Sequence, residues 1–472
     1  MDISRSVSRR LLRTKPIEVT IAGEAGKPRP LARSITLFQL TMLGVGCTIG
    51  TGIFVILGDA VPKAGPGVVL SFALAGITAA LTALCFAELA AAMPVAGSSY
   101  SYAYATMGEL VAYLVGSCLV LEYGVSASTI AVGWGQYINE LSVDLFDWRL
   151  PREIANPPGV DGGILNLPAA IAVFLGGLLL IRGARESAGA NAALVVAKIL
   201  VLVMFIAIGF SAFSSANLHP FMPSGFVGVG GAASSIFFSF IGIDAISTAG
   251  EEAKNPKRDL PLAIIFSLVI ITAVYVLVSL AAVGAQPVGD FNDTEASLAQ
   301  ILRQITGATW PSVILSVGAI ISIFSSMLVC FYGQTRILCI MARDGLVPQF
   351  LARVDPRTQT PVRNTVVVGL ILAVTAAMFP LDVLADLTSL GTLVAFMVVS
   401  LAVIILRRKR PDLSLGGFRV PFYPMTPLLS AGFCLYLIAG LPAQTFVLFG
   451  FWVAATLLLY ACFGWRRPVL SA

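Results

Sequence analysis

Apolar residues along this chain gather into runs long enough to cross a bilayer, separated by short polar connections. A helix of roughly 20 apolar residues crosses about 30 Å of hydrocarbon. On that measure the pattern predicts spans near 36–58, 66–90, 109–138, 165–181, 189–213, 229–250, 260–283, 311–340, 365–379, 383–406, 424–441 and 445–464. The expected fold is an all-α membrane protein with 12 transmembrane helices, an even number that leaves both termini on one side.

Two of these runs are broken by glycine at mid-depth, at Gly44-Val45-Gly46-Cys47-Thr48-Ile49-Gly50-Thr51-Gly52 and at Ser239-Phe240-Ile241-Gly242-Ile243-Asp244. Hydrocarbon offers no partner to a free backbone N–H or C=O, so a spanning helix normally closes every hydrogen bond within itself. A break is tolerated where the freed groups line a protein cavity, the arrangement of secondary transporters. Each break opens a set of five spans, and two halves of odd span number must run in opposite senses. The expectation is a 5+5 inverted repeat, 36–213 and 229–406, followed by two further helices at 424–464. Tails at 1–35 and 465–472 flank the spans.

Composition agrees with the pattern: 57% of the 472 residues are hydrophobic and 12% charged, too apolar for a soluble chain of this length. Lys and Arg are distributed unevenly between the two sets of connections. The N-terminal tail, Arg182, Arg185, the loops carrying Lys254, Arg343 and Lys409, and the C-terminal tail hold 25 of the 30; Lys63, Arg149, Arg152 and Arg303 lie opposite. By the positive-inside rule both termini are expected in the cytoplasm, in a multi-pass protein of the cell membrane. The net charge of +5 is then a topology signal and an attraction to anionic lipid, and no nucleic-acid partner is expected. The first apolar run is long enough to span, so no removable signal peptide is expected. The seven cysteines fall in or beside apolar runs without paired metal-ligand spacing and read as packing residues, and His219 reads as a loop residue. No metal and no cofactor is expected.

The glycine break has its own chemistry. Ending a half-helix near Thr48 frees carbonyls, and restarting it at Gly50, Thr51 and Gly52 frees N–H groups at the positive end of a helix dipole. A zwitterion matches both ends, its carboxylate suiting the amides. The break lacks the Gly-Lys-[Ser/Thr] ending of a phosphate loop, so no nucleotide is expected. Lys198 is the one Lys or Arg well inside a span, where a cation costs about 2.5–3.5 kcal/mol. Burial penalises its charged form, which makes it a candidate to release and regain a proton. Glu122 lies deep in the third span and Asp244 follows the second break, and each is a candidate to pair with Lys198, hold a proton or meet a cationic substrate; capping of the following helix is the other reading of Asp244. Glu88, at the end of the second span, reads as a gate or solvent-facing residue.

Phe38 to Phe54, Pro94 to Tyr104, the stretch Gly250-Glu251-Glu252-Ala253-Lys254-Asn255-Pro256-Lys257-Arg258-Asp259-Leu260-Pro261, Gly333 to Arg336 with Met341 to Leu346, and Phe418-Arg419-Val420-Pro421 together resemble the amino acid, polyamine and organocation transporter superfamily. Within it they are most similar to the shorter bacterial members of the cationic amino-acid transporter family. The resemblance implies a leucine-transporter-like fold with substrate at the two breaks. It assigns the carboxylate to the amides of Gly50, Thr51 and Gly52 and the ammonium to carbonyls of Thr48, Phe238, Ile241 and Ile243 around Gly242. It also implies that Lys198 takes the place of a sodium ion and points to the Gly46 carbonyl and the hydroxyl of Ser325 or Ser326. Ser326 and Cys330 are small enough to leave room for a substrate side chain. The expected activity is import of a neutral or cationic amino acid by proton symport with alternating access and no chemistry on the substrate. Exchange of amino acids or polyamines without obligatory proton flow is the alternative; a channel would need a charged or carbonyl-lined pore that the chain does not display.

Overall fold

A computed structural model describes residues 14, 35–93, 98–183, 188–248, 253–291, 297–355, 358, 360–409 and 417–463. The basic positions Arg5 to Arg33, Arg185, Arg357, Arg410, Arg466 and Arg467 lie outside these residues, as do parts of two motifs, Pro94–Gly97 and Ala249–Glu252. The architecture among the described residues is helical, with one isolated bridge between Ile35 and Ala253 and no named strand.

The helices are α1 (Leu37–Thr48), α2 (Thr51–Val55), α3 (Leu57–Ala64), α4 (Val68–Ala92), α5 (Ser98–Thr106), α6 (Glu109–Phe146), α7 (Leu167–Ile181) and α8 (Ala188–Ser211). They continue with α9 (Gly225–Ile236), α10 (Pro256–Ala285), α11 (Ser297–Thr306), α12 (Trp310–Arg343), α13 (Val362–Met378), α14 (Leu381–Lys409), α15 (Met425–Ala439) and α16 (Ala443–Phe463). Each of the predicted spans contains helix among the described residues. Among the described residues nine helical stretches are long and apolar enough to cross a membrane, and three shorter apolar helices, α7, α13 and α15, span 15, 17 and 15 residues. The protein is thus a multi-pass membrane protein.

The largest boundary error is in α6, expected to stop near 138 and found to run to Phe146. No glycine or proline interrupts Asn139 to Phe146, so the helix continues past its apolar stretch until Asp147 takes a left-handed conformation (φ 50°) and ends it.

The broken helices occupy the centre. In the Leu37–Val55 stretch 82% of the residues are buried, against 17% in Ala443–Cys462, so the first helix is enclosed by protein and the last presents its side chains to lipid. Around the centre α6 packs along α12 and α14, and α10 packs along α4 and α1. Helix α1 starts with a capping box in which Thr36 accepts from the Gln39 N–H and the Gln39 side chain caps Thr36 in return. It ends at Thr48; Ile49 (ψ 85°) and Gly50 (φ −132°, ψ −137°) are non-helical, and α2 resumes at Thr51. Ile56 is itself helical (φ −63°, ψ −19°), so α2 leads directly into α3. The second break is longer. After α9 a 3-10 turn covers Phe237–Phe240, Ile241 is extended, Gly242 has φ 98°, and a four-residue helix follows at Ala245–Thr248.

Candidate functional site

The two breaks touch each other. A Cβ added to Gly52 would lie 2.5 Å from the Cβ and 2.6 Å from the Cα of Ser239, and one added to Gly242 would lie 3.0 Å from the Cβ of Cys47. Glycine at 242 is doubly required, because its positive φ also disfavours any side chain. Gly50 packs on Ser326, whose Cβ an added methyl would meet at 2.9 Å. These glycines therefore do two things: they release backbone groups, and they let the helices approach closely.

Between the breaks lies a cavity of about 10 Å³ lined by Cys47, Thr48, Gly50, Gly52, Ser126, Ile130, Phe238, Ile241 and Cys330. That is room for about one water-sized sphere. The Thr48, Ser126 and Ser239 hydroxyls are buried without a hydrogen-bond partner among the described residues, although each is a group that prefers one. A second cavity, of about 350 Å³, sits where Val55, Gly58 and Asp59 face Asn139, Arg149, Arg152, Asp161 and Asp382. Near its rim Lys63 bonds Asp59 at 2.7 Å and the Ser235 hydroxyl at 3.0 Å, tying α3 to α9.

The sequence-selected residues fall as follows. Lys198, on α8 and buried, directs Nζ to the Gly46 carbonyl (3.1 Å), the Ile49 carbonyl (3.4 Å) and the Ser326 hydroxyl (3.3 Å). Ser326, and not Ser325, is the serine in these bonds. Its hydroxyl also lies 3.1 Å from the Gly46 carbonyl, and Ser322 donates to the Ile49 carbonyl at 3.2 Å, so one lysine and two serines converge on the first break. Asp244 accepts from the Tyr123 hydroxyl at 2.7 Å and the Ser98 hydroxyl at 3.4 Å, both on one of its oxygens. Glu122 is fully buried, and neither carboxylate oxygen has a hydrogen-bond partner among the described residues. Phe238, Ile241 and Cys330 line the small cavity, whereas the Ile243 carbonyl accepts from the Ile246 N–H at 3.4 Å. The Thr51 side chain lies outside the described atoms.

Two expectations change. Glu88 is not solvent-facing: it is 1% exposed, takes a two-pronged contact from Arg407 at 2.6 and 2.6 Å, and accepts from the Val420 N–H at 2.7 Å. Arg407 in turn lies 4.3 Å over the Tyr423 ring. This clamp joins α4, α14 and the segment after it, and paired charge of this geometry is what permits a carboxylate to be buried. The Thr48 carbonyl, assigned above to a substrate ammonium, already receives the Gly50 N–H at 2.9 Å and the Tyr275 hydroxyl at 2.9 Å. Tyr275, Ser126 and Ile130 were not selected from sequence, since a lone tyrosine or serine in an apolar run carries no spacing signal.

The amino acid permease family model matches residues 35–465. The chain belongs to that family. This permease is 41% identical over 463 residues to the methylthioribose transporter of Bacillus subtilis (strain 168), covering 98% of this chain and 99% of that one. It is 41% identical over 464 residues to the branched-chain amino acid permease BcaP of the same organism, again covering 98% and 99%. The vacuolar cationic amino acid transporter 4 of Arabidopsis thaliana is 36% identical over 412 residues, 85% of this chain and 68% of the relative. The permease is accordingly a transporter and not an enzyme.

Proposed function

We propose that this permease imports amino acids by proton symport, alternating access around a site at the two helix breaks. The observation that carries the reading is the meeting of the breaks at a buried cavity with Lys198 seated on the first of them. Twelve spans, built as inverted repeats at 36–213 and 229–406 with two added helices at 424–464, supply the moving and fixed parts. Both tails face the cytoplasm across the cell membrane. The amides of Thr51 and Gly52 receive the carboxylate at the start of the resumed helix, joined by that of Gly50 once its N–H leaves the Thr48 carbonyl, to which it donates at 2.9 Å. Carbonyls of the second break, Phe238, Ile241 and Ile243, receive the ammonium, because the Thr48 carbonyl is engaged by two donors at 2.9 Å, whereas Phe238 and Ile243 each accept a longer backbone bond, at 3.3 and 3.4 Å. The cavity expands before an amino acid enters, since its present volume suits about one water.

Lys198 carries the coupling proton in this reading. Protonated, it holds α8 and α12 on the first break; deprotonated, it releases them and favours the opposite-facing state. A proton drives such a cycle only by binding the two states unequally. Glu122 and Asp244 are the further candidates to hold a proton, both being buried carboxyl groups, with Asp244 taking hydrogen bonds from Tyr123 and Ser98.

The methylthioribose relative supports a second reading. A thio-sugar has neither carboxylate nor ammonium and would rely on the unpartnered hydroxyls of Thr48, Ser126 and Ser239. Uptake of labelled leucine, alanine, arginine and methylthioribose into liposomes, each with and without an inward proton gradient, separates the readings. Symport requires amino-acid accumulation that follows the gradient. Counterflow without accumulation points to exchange, and uptake of methylthioribose alone removes the amino-acid assignment.

A further inference from the structure

The larger of the two cavities described above lies one helical turn from the breaks. Gly52 lines the small cavity and Val55 the large one, three residues apart on α2, a rise of about 4.5 Å. Helix α6 passes both, with Ser126 and Ile130 at the first and Gln136 and Asn139 at the second. About 10 Å³ at the breaks takes one water, whereas about 350 Å³ falls within the roughly 300–1,000 Å³ of small-molecule sites. The connection after α6 is held in place around it. The Leu150 N–H donates to the buried Asn139 side chain at 2.9 Å, the Ile164 and Leu165 N–H groups donate to the Glu153 carbonyl at 2.9 and 3.1 Å, and the Asn166 N–H donates to the Ala377 carbonyl of α13 at 2.9 Å. Arg149, Arg152 and Asp161 on this connection and Asp382 on α14 line the cavity, are exposed, and form no ion pair among the described residues. The Gln136 side-chain oxygen, at the same cavity, is buried without a hydrogen-bond partner among the described residues.

We propose that this cavity is a second amino-acid site, which holds the zwitterion before it passes to the breaks, Arg149 and Arg152 meeting the carboxylate and Asp161 and Asp382 the ammonium. In the topology proposed above the cavity lies on the outer side. The proposal rests on the reading that amino acids are the transported substrate; it does not require that they bind at the breaks. The physical case is charge balance. Two guanidinium groups and two carboxylates line one cavity without pairing with each other, so a simple anion satisfies the arginines and leaves the aspartates unanswered, and a simple cation does the reverse. A ligand carrying both charges a few bonds apart answers both, and the planar guanidinium fork matches carboxylate geometry. Asp59 makes no further demand, because Lys63 holds it at 2.7 Å. Water reaches these groups, so each contact is weak, which suits a site that must give up its ligand.

The test places a reporter in the cavity: Val160→Cys, at a half-buried lining position, is reacted with an impermeant maleimide in proteoliposomes while leucine is titrated. Leucine is expected to slow the labelling severalfold. Leucine methyl ester, which lacks the anion, and isocaproate, which lacks the ammonium, are expected to protect only at higher concentration. With Arg149→Gln and Arg152→Gln added, the protecting concentration of leucine should rise roughly threefold to twentyfold, the product of two exposed charged contacts. Absence of protection overturns the proposal. So does protection at the same leucine concentration with and without the two arginines, which would mean that the cavity closes when substrate binds at the breaks. Should the arginine variant fail to fold, Asp382→Asn is read in its place: a protecting concentration raised about twofold or more supports the site, and an unchanged one overturns it. Counterflow of labelled leucine in the same vesicles isolates the underlying reading. Counterflow without protection overturns the second site alone, whereas protection without counterflow retains that site and removes leucine as the transported substrate.

Discussion

Replacing Lys198 with alanine separates coupling from folding, because the structure indicates that the fold survives the change. The ammonium contributes to three contacts, but its two carbonyl acceptors keep other donors: Ser326 lies 3.1 Å from the Gly46 carbonyl and Ser322 lies 3.2 Å from the Ile49 carbonyl. No acceptor is orphaned. The loss is then up to three charge-assisted bonds, two of them long, about 1.5–3 kcal/mol each in net terms. Against it stands the removal of a cation from mid-span, about 2.5–3.5 kcal/mol in the opposite direction. The second offsets part of the first and both carbonyls keep a donor, so Lys198→Ala is expected to purify as a folded protein. Its transport should differ sharply. One proton per substrate across a gradient of one pH unit supplies about 1.4 kcal/mol, a tenfold accumulation at balance. The variant should equilibrate labelled leucine to a ratio near one while counterflow exchange continues. A folded variant that still concentrates leucine about tenfold would place the coupling group elsewhere, with Glu122→Gln the next substitution to examine.

Other substitutions probe the remaining contacts. Gly52→Ala should lower the thermal midpoint of the purified protein by an amount equivalent to about 1–3 kcal/mol, because its methyl collides with Ser239 at 2.5 Å; an unchanged midpoint would mean the breaks are less tightly joined. Glu88→Ala should cost about 3–5 kcal/mol by leaving Arg407 unpaired in the clamp, and pairing it with Arg407→Ala should cost less than the sum of the two; additive losses in a thermal-shift cycle would refute the clamp. Substrate methyl esters should compete poorly for uptake, and tight binding of such an ester would remove the helix-amide site for the carboxylate. Cysteines at Asp161 and Arg408 should react with an impermeant reagent from outside and inside the cell respectively, and the opposite pattern would reverse the topology.

Sequence and structure agree most closely where a physical constraint is local. Hydrocarbon thickness sets run length, so α4 was expected at 66–90 and occupies Val68–Ala92, and glycine at mid-span marked both breaks. Long-range pairing was not legible. Glu88 and Arg407 are 319 residues apart, and nothing near either residue announces the other. Tyr275 sits in Thr272-Ala273-Val274-Tyr275-Val276-Leu277, where an aromatic ring fits lipid, core or site equally well; only the fold brings its oxygen to two carbonyls. The glycines were read for the groups they release, and their equally important role in letting Ser239 and Ser326 approach depends on which helices become neighbours.

The size of the break cavity bears on leakage. A cell that maintains a proton gradient loses it through any continuous file of water, and a membrane carrier that uses protons must avoid providing one. About 10 Å³ holds a single water and not a file, so among the described residues this cavity holds no water chain past Thr48 and Phe238. Under proton symport, hydration of the site arrives only with the opening that admits substrate, and wasteful current is suppressed by dryness instead of by a dedicated plug.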